Sequence, residues 1–140
     1  MREVFTKELE ALADGLVDLG NLAVDAIKQS NKALATNDLQ LAEQVITDDA
    51  QVNANQVEID RRAVELLALQ APVAADLRIV VAALKMSVAL ERMGDLARHI
   101  SAQVRIRYPE HAIPEAFTRI FERMGSVAER IGEGMVELLS

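Results

Sequence analysis

The chain has 140 residues, of which 51% are hydrophobic, 26% charged and only 3% aromatic, and its formal net charge at pH 7 is −7. This composition supplies enough apolar side chains for a core, and the shortage of aromatic residues favours packed helices over a β-sandwich. The absence of cysteine excludes disulfides, thiol catalysis and cysteine-ligated metal centres. The acidic balance argues against a nucleic-acid partner. No apolar run is long enough to span a bilayer, and the first residues lack the apolar core of a signal peptide. We therefore expect a cytoplasmic protein with no membrane insertion.

Three long segments carry apolar residues at steps of three and four, which is the period of an α-helix. We predict helices over residues 3–35, 38–69 and 72–107. Asn37 is predicted to cap the second helix, and Pro72 to begin the third, because proline suits the first helical position. Short connections make neighbouring helices antiparallel, so the prediction is an all-α, up-down-up three-helix bundle.

Two glycines, Gly15 and Gly20, lie inside the first predicted helix. Glycine in a helix interior costs roughly 0.5–1 kcal/mol relative to alanine. We therefore expect these two positions to allow another helix to approach closely.

The third predicted helix is apolar on two faces through its first half. The two stripes comprise Ile79, Ala83, Met86 and Leu90, and Leu77, Val81, Leu84 and Val88. A helix with two apolar faces needs a partner on each of them. We expect another helix or another subunit to cover the second face. If it is another subunit, the protein is a homo-oligomer, which is our expectation.

A fourth segment, over residues 114–140, follows a short connector over residues 109–113 and matches the first helix at an offset of about 112 residues. The alignment pairs Phe5, Gly20 and Val24 with Phe117, Gly132 and Val136. It predicts that residues 1–108 form one bundle and that the fourth segment is the first helix of a second, truncated bundle, within a natural protein of roughly 220 residues. We expect this helix to pack on the third helix or on another chain. Chance similarity between two amphipathic helices is the alternative explanation of the match.

Two sequence strings beside the turn between the second and third helices point to a family. Residues 70–78 read QAPVAADLR, and residues 91–95 read ERMGD. Together they resemble the signature of the PhoU family, whose members regulate phosphate-specific transport and phosphate-starvation signalling. The resemblance covers about residues 1–108 as one complete repeat.

The resemblance implies a tandem three-helix-bundle protein without enzymatic activity. Such a protein bridges the ATPase of a phosphate ABC transporter and a sensor histidine kinase, and it restrains uptake and the starvation response when phosphate is plentiful. The acidic motifs of the family are associated with iron or other divalent cations. Carried onto this chain, the implied metal ligands are Asp49, Asn53, Glu91 and Asp95.

The spacing of these four residues is consistent with one shared site. Glu91 and Asp95 lie one helical turn apart on one face, and so do Asp49 and Asn53. A hairpin folded about position 72 places Asn53 opposite Glu91 and Asp49 opposite Asp95, about 28 Å from the turn. Oxygen ligands suit Mg²⁺, Ca²⁺, Mn²⁺ or iron, and His99, one turn beyond Asp95, could add a nitrogen ligand.

Other interpretations of the same residues stay open. The acidic pair on the third helix could be a solvated face, with Arg92 and Arg98 as surface partners. A metal-dependent hydrolase or oxidase could use the cluster, and a plain helical oligomerisation module needs no site at all. The enzyme alternative has little motif support, because the chain has no Walker A sequence and neither histidine has a glutamate three residues before it.

Overall fold

The computed structural model describes residues 2–140 as four long helices and one 3₁₀ turn. Helix α1 spans Arg2–Thr36, α2 spans Leu39–Gln70 and α3 spans Ala74–Arg107, and a 3₁₀ turn over Glu115–Phe117 leads into α4, which spans Thr118–Leu139. The first three helices all pack on one another, whereas α4 packs on α1. The described residues contain no strand, so the predicted all-α fold is confirmed. Among them, no helix combines the length and apolarity that a membrane crossing requires.

Each helix of the bundle buries one stripe of residues that lie mostly three and four positions apart. On α1 the stripe is Leu12, Leu16, Leu19, Ala23, Ser30 and Ala33. On α2 it is Ala42, Val45, Asp49, Val52, Ile59, Ala63 and Leu66. On α3 it is Val80, Ala83, Ser87, Leu90, Gly94, Ala97, Ser101 and Val104. This spacing is typical of long helices that cross at a shallow angle and remain in contact along their whole length.

The buried stripe of α3 shares Ala83 and Leu90 with the first predicted stripe and differs from it at the other two positions. Ile79 and Met86, which the apolar pattern placed in the core, are 52% and 37% exposed. Val80 and Ser87 are buried in their place. The pattern missed Ser87 because its side chain is polar, but it is small enough for close packing and donates its hydroxyl to the carbonyl of Leu84 at 2.8 Å.

The junction between α1 and α2 differs from the prediction by one residue. Asp38, not Asn37, caps α2, because its carboxylate accepts a hydrogen bond from the N–H of Leu41 at 3.0 Å. Asn37 instead has a φ of 52°, a left-handed conformation that asparagine tolerates better than most residues. It therefore ends α1 rather than beginning α2.

The junction between α2 and α3 also shifts the predicted helix start. Ala71 takes a left-handed conformation at the end of α2, and Val73 takes the extended backbone of a cap residue. Pro72 thus lies within the turn and not at the first helical position. The chain needs these residues to reverse direction before α3 begins at Ala74.

Helix α4 runs antiparallel along α1, so the expectation that it packs on the third helix is wrong. Its packing on another chain stays a prediction. The contact depends on two glycines that face valines. A Cβ atom at Gly20 would lie 3.2 Å from Cγ2 of Val136, and a Cβ atom at Gly132 would lie 2.9 Å from Cγ2 of Val24. The close approach expected at Gly20 is therefore confirmed, with α4 as the partner helix.

Polar side chains reinforce the same contact. The side-chain amide of Asn31 donates to the carbonyl of Gly125 at 3.0 Å and to Glu129 at 3.1 Å. Lys28 forms an ion pair of 2.7 Å with Glu133. These bonds hold the carboxyl-terminal half of α1 against α4.

The predicted repeat between α1 and α4 makes the two glycine–valine contacts equivalent. Gly20 and Val24 occupy in α1 the positions that Gly132 and Val136 occupy in α4, and each glycine meets the valine of the other helix. Two related helices packed antiparallel about a local two-fold axis would make such contacts. The repeat itself stays a prediction.

Two glycines of α4 provide a test of this packing. We expect Gly134→Ala to raise the free energy of unfolding by about 1 kcal/mol, because alanine is the better helix former and nothing lies within 4 Å of the added methyl group. Gly132→Ala has the same intrinsic gain, but its methyl group would collide with the buried Val24, so we expect no gain or a net loss. Urea unfolding followed by circular dichroism measures both variants. Equal stabilisation by the two substitutions would contradict the close contact.

Candidate functional site

A carboxylate lies inside the core where α2 meets α3. Asp49 occupies a position in the buried stripe of α2 and is only 7% exposed. Gly94 of α3 faces it, since a Cβ atom there would lie 3.6 Å from Oδ1 of Asp49 and 2.9 Å from Cγ1 of Val52. The missing side chain at Gly94 therefore lets the two helices approach closely enough to enclose Asp49.

The guanidinium group of Arg98 joins the two helices at this level. Its Nε lies 3.2 Å from Oδ2 of Asp49, and its Nη2 donates to Oδ1 of Asp95 at 2.6 Å. Asp49 and Asp95 thus lie at one height in the bundle, where the hairpin geometry predicted them. We call Asp49, Asp95 and Arg98 the acidic cluster.

Asp95 is surrounded by basic groups on its own helix. Besides Arg98, it is bound by Nη1 of Arg92 at 2.5 Å, and Nε2 of His99 lies 3.7 Å from its Oδ1. The hydrogen bond from Arg98 holds the pKa of Asp95 below its ordinary value, and the charges of His99, Arg98 and Arg92 act in the same direction. The same hydrogen bond raises the pKa of Arg98. The pair is therefore fully ionised near neutral pH.

The other two predicted ligands lie at the edge of the acidic cluster. Asn53 is exposed, and its amide nitrogen lies 3.4 Å from Oδ2 of Asp49. Glu91 is partly buried, and its charge helps to raise the pKa of Arg98. The structure therefore brings Asp49 and Asp95 to Arg98, places Asn53 beside Asp49 and shows no direct contact of Glu91 with these groups.

Two observations bear on whether these side chains fit a divalent cation. Oδ1 of Asp49 is buried and has no hydrogen-bond partner among the described residues, so one carboxylate oxygen is left unsatisfied. However, nowhere in residues 2–140 is a group of three or more His, Asp or Glu residues arranged to hold a metal ion. Arg98 binds both carboxylates itself. The cluster fits a cation only when Arg98 turns away.

A separate groove of about 310 Å³ lies between α1, the connector and the first half of α4. Its polar lining includes Lys28, Asn31 and Glu129. Lys28 is paired with Glu133, and Asn31 is bonded to Glu129, so these groups serve the contact between α1 and α4. The acidic cluster is the stronger candidate site.

The importance of Arg98 for the buried carboxylate can be measured. We expect Arg98→Met to lower the free energy of unfolding by about 1–3 kcal/mol, the cost of leaving a buried charged acceptor unpaired. Arg92→Met is the matched control, because it removes a more exposed arginine that contacts Asp95 and not Asp49, and we expect a smaller loss. Urea unfolding at pH 7 measures both variants.

A double variant separates pairing from packing in that experiment. Asp49→Leu combined with Arg98→Met removes both charges, and we expect it to recover most of the stability lost in Arg98→Met. Equal losses in Arg98→Met and Arg92→Met, with no recovery in the double variant, would show that the pair with Asp49 contributes nothing.

Comparison with known proteins places this architecture in a family. A sequence profile described as the PhoU domain matches residues 16–104, which lie within the three-helix bundle. The phosphate-specific transport system accessory protein PhoU homolog 1 of Mycobacterium leprae is 40% identical over 139 residues, covering 99% of this chain and 63% of that protein. PhoU homolog 2 of Mycobacterium tuberculosis is also 40% identical over 139 residues, covering 99% of this chain and 65% of its own length.

A solved structure shares the fold as well as the sequence pattern. The crystal structure of the phosphate transport system regulatory protein PhoU from Streptococcus pneumoniae matches with a TM-score of 0.82 and 30% identity, over 94% of this chain and 61% of that chain. A match of that extent includes most of α4 together with the bundle. The chain spans less than two thirds of the length of these relatives. Since the profile covers more than half of the chain and the identity to named members reaches 40%, the chain belongs to the PhoU family.

Proposed function

We propose that this chain belongs to a non-enzymatic regulator that restrains phosphate uptake and the phosphate-starvation response. The observation that carries the proposal is 40% identity, over nearly the whole chain, to proteins named phosphate-specific transport system accessory proteins. The fold supports it, because a bundle of the same shape is found in a phosphate transport system regulatory protein.

The proposed partners are the cytoplasmic ATPase of a phosphate ABC transporter and a sensor histidine kinase, as the sequence resemblance implies. Contacts between helix faces suit such a role. Exposed apolar side chains on α3 and α4 include Ile79, Val88, Leu96, Ile120, Met124 and Ile131. Surfaces of this kind favour association with other proteins, and the predicted homo-oligomer would use one of them.

We further propose that residues 1–108 form one complete bundle and that α4, after the connector over residues 109–113, begins a second unit. The reciprocal glycine–valine contacts between α1 and α4 support this division. Under it, the outer face of α4 would pack against helices of the same second unit.

The acidic cluster is the proposed position of a divalent cation, with Mg²⁺, Mn²⁺, Ca²⁺ and iron as candidates. Asp49, Asn53, Glu91 and Asp95 are the proposed ligands. The free, buried Oδ1 of Asp49 supports this assignment, since hard cations prefer carboxylate oxygen. The cation would supply positive charge that holds α2 to α3.

Deletion of the gene tests the regulatory role. We expect a deletion strain to keep its phosphate-starvation response switched on in phosphate-rich medium, because the restraint on uptake and signalling is lost. A reporter for a starvation-induced promoter and the rate of labelled phosphate uptake measure the effect, and the intact gene supplied in trans is the control. A normal response in a strain with no second copy of the gene would refute the proposal.

A separate assay tests the absence of catalysis. The purified protein, with added Mn²⁺, should turn over none of a panel of phosphoesters. Turnover that disappears in Asp95→Asn would favour the metal-dependent hydrolase instead.

A further inference from the structure

The acidic cluster has an unusual source of positive charge. Arg98 contacts Asp49 across the gap between α2 and α3 and Asp95 on its own helix, and the charge of Glu91 acts on it as well. A bound divalent cation would need the same oxygen atoms. The guanidinium group therefore occupies the place at which the family resemblance puts a metal ion.

Arg98 stays bound to the two carboxylates because arginine keeps its positive charge. A guanidinium group stays protonated throughout the accessible pH range, so it cannot vacate the carboxylates by losing a proton. It can leave only by moving. The side chain of Arg98 is 36% exposed, and its Nη2 lies 3.1 Å from Nε2 of the exposed His99, so a path toward solvent is open on that side.

Asp49 is the carboxylate of this cluster that most needs a positive partner. The carboxylate is buried, so it needs a positive partner far more than an exposed carboxylate does. One of its oxygens is bound by Arg98, while the other has no partner among the described residues. The cluster is thus compensated in charge, but one of its hydrogen-bonding positions is unfilled.

We propose that Arg98 is an internal cation that competes with a divalent metal ion for the carboxylates of Asp49 and Asp95, and so weakens metal binding by this chain. The proposal rests on the metal site of the proposed function and deepens it by naming the residue that regulates that site. Metal binding then requires displacement of Arg98 toward His99 and solvent.

A titration with Mn²⁺ tests the competition on the full chain. Electron paramagnetic resonance of free Mn²⁺ gives the Kd for the wild type, for Arg98→Gln and for the control Arg92→Gln. We expect Arg98→Gln to bind Mn²⁺ at least tenfold more tightly than the wild type. Arg92→Gln should change the Kd less than threefold, because Arg92 contacts only the outer carboxylate. Adding Asp49→Asn to Arg98→Gln should abolish the gain.

Three results would overturn the proposal: wild-type affinity equal to that of Arg98→Gln, an equal gain in Arg92→Gln, or no Mn²⁺ binding by folded Arg98→Gln. If Arg98→Gln does not fold, Arg98→Lys replaces it, since lysine keeps the charge but lacks the fork that reaches both carboxylates. Binding by Arg98→Lys no tighter than the wild type would then be the contrary result. The phosphate response is measured separately, so failure of the Mn²⁺ prediction and failure of the regulatory role are distinguishable.

Discussion

The regular spacing of the buried stripes is the constraint on which the rest of the structure depends. Because the core-facing buried residues of α1, α2 and α3 recur at steps of three, four or seven, each helix keeps the same face toward its neighbours over more than twenty residues. This regularity fixes which residue of α2 faces which residue of α3. Asp49 is held against Gly94 and within reach of Arg98 for that reason, and not by any local loop or turn.

A charged residue inside such a stripe opposes the packing that holds the bundle together. An aliphatic side chain at position 49 would fill the stripe without needing a partner, whereas a carboxylate there needs Arg98 for charge. A local departure from the pattern that favours stability is typical of functional sites. The burial of Asp49 therefore says more about function than the exposed acidic residues nearby do.

Much of this arrangement could be predicted from the sequence, because it follows from helical rise and the position of one turn. The meeting of Asp49 with Asp95 is of this kind. The buried stripe of α3 could be predicted only in part: Ala83 and Leu90 belong to the apolar pattern, whereas Ser87 is small and polar and does not. The ion pair between Arg98 and Asp49 could not be predicted from the sequence either, because it depends on the distance between α2 and α3, which Gly94 sets. The place of α4 on α1 depends on contacts between residues more than ninety positions apart.

The spacing of glycine and valine on α1 and α4 also determines how precisely the two helices are aligned. On each helix the glycine and the valine lie four positions apart, so both contacts form at a single register. If α4 slid by one helical turn along α1, both valines would lose their contact with the opposite glycine at the same time. Sliding cannot break one contact and keep the other. The two helices therefore have either both glycine–valine contacts or neither.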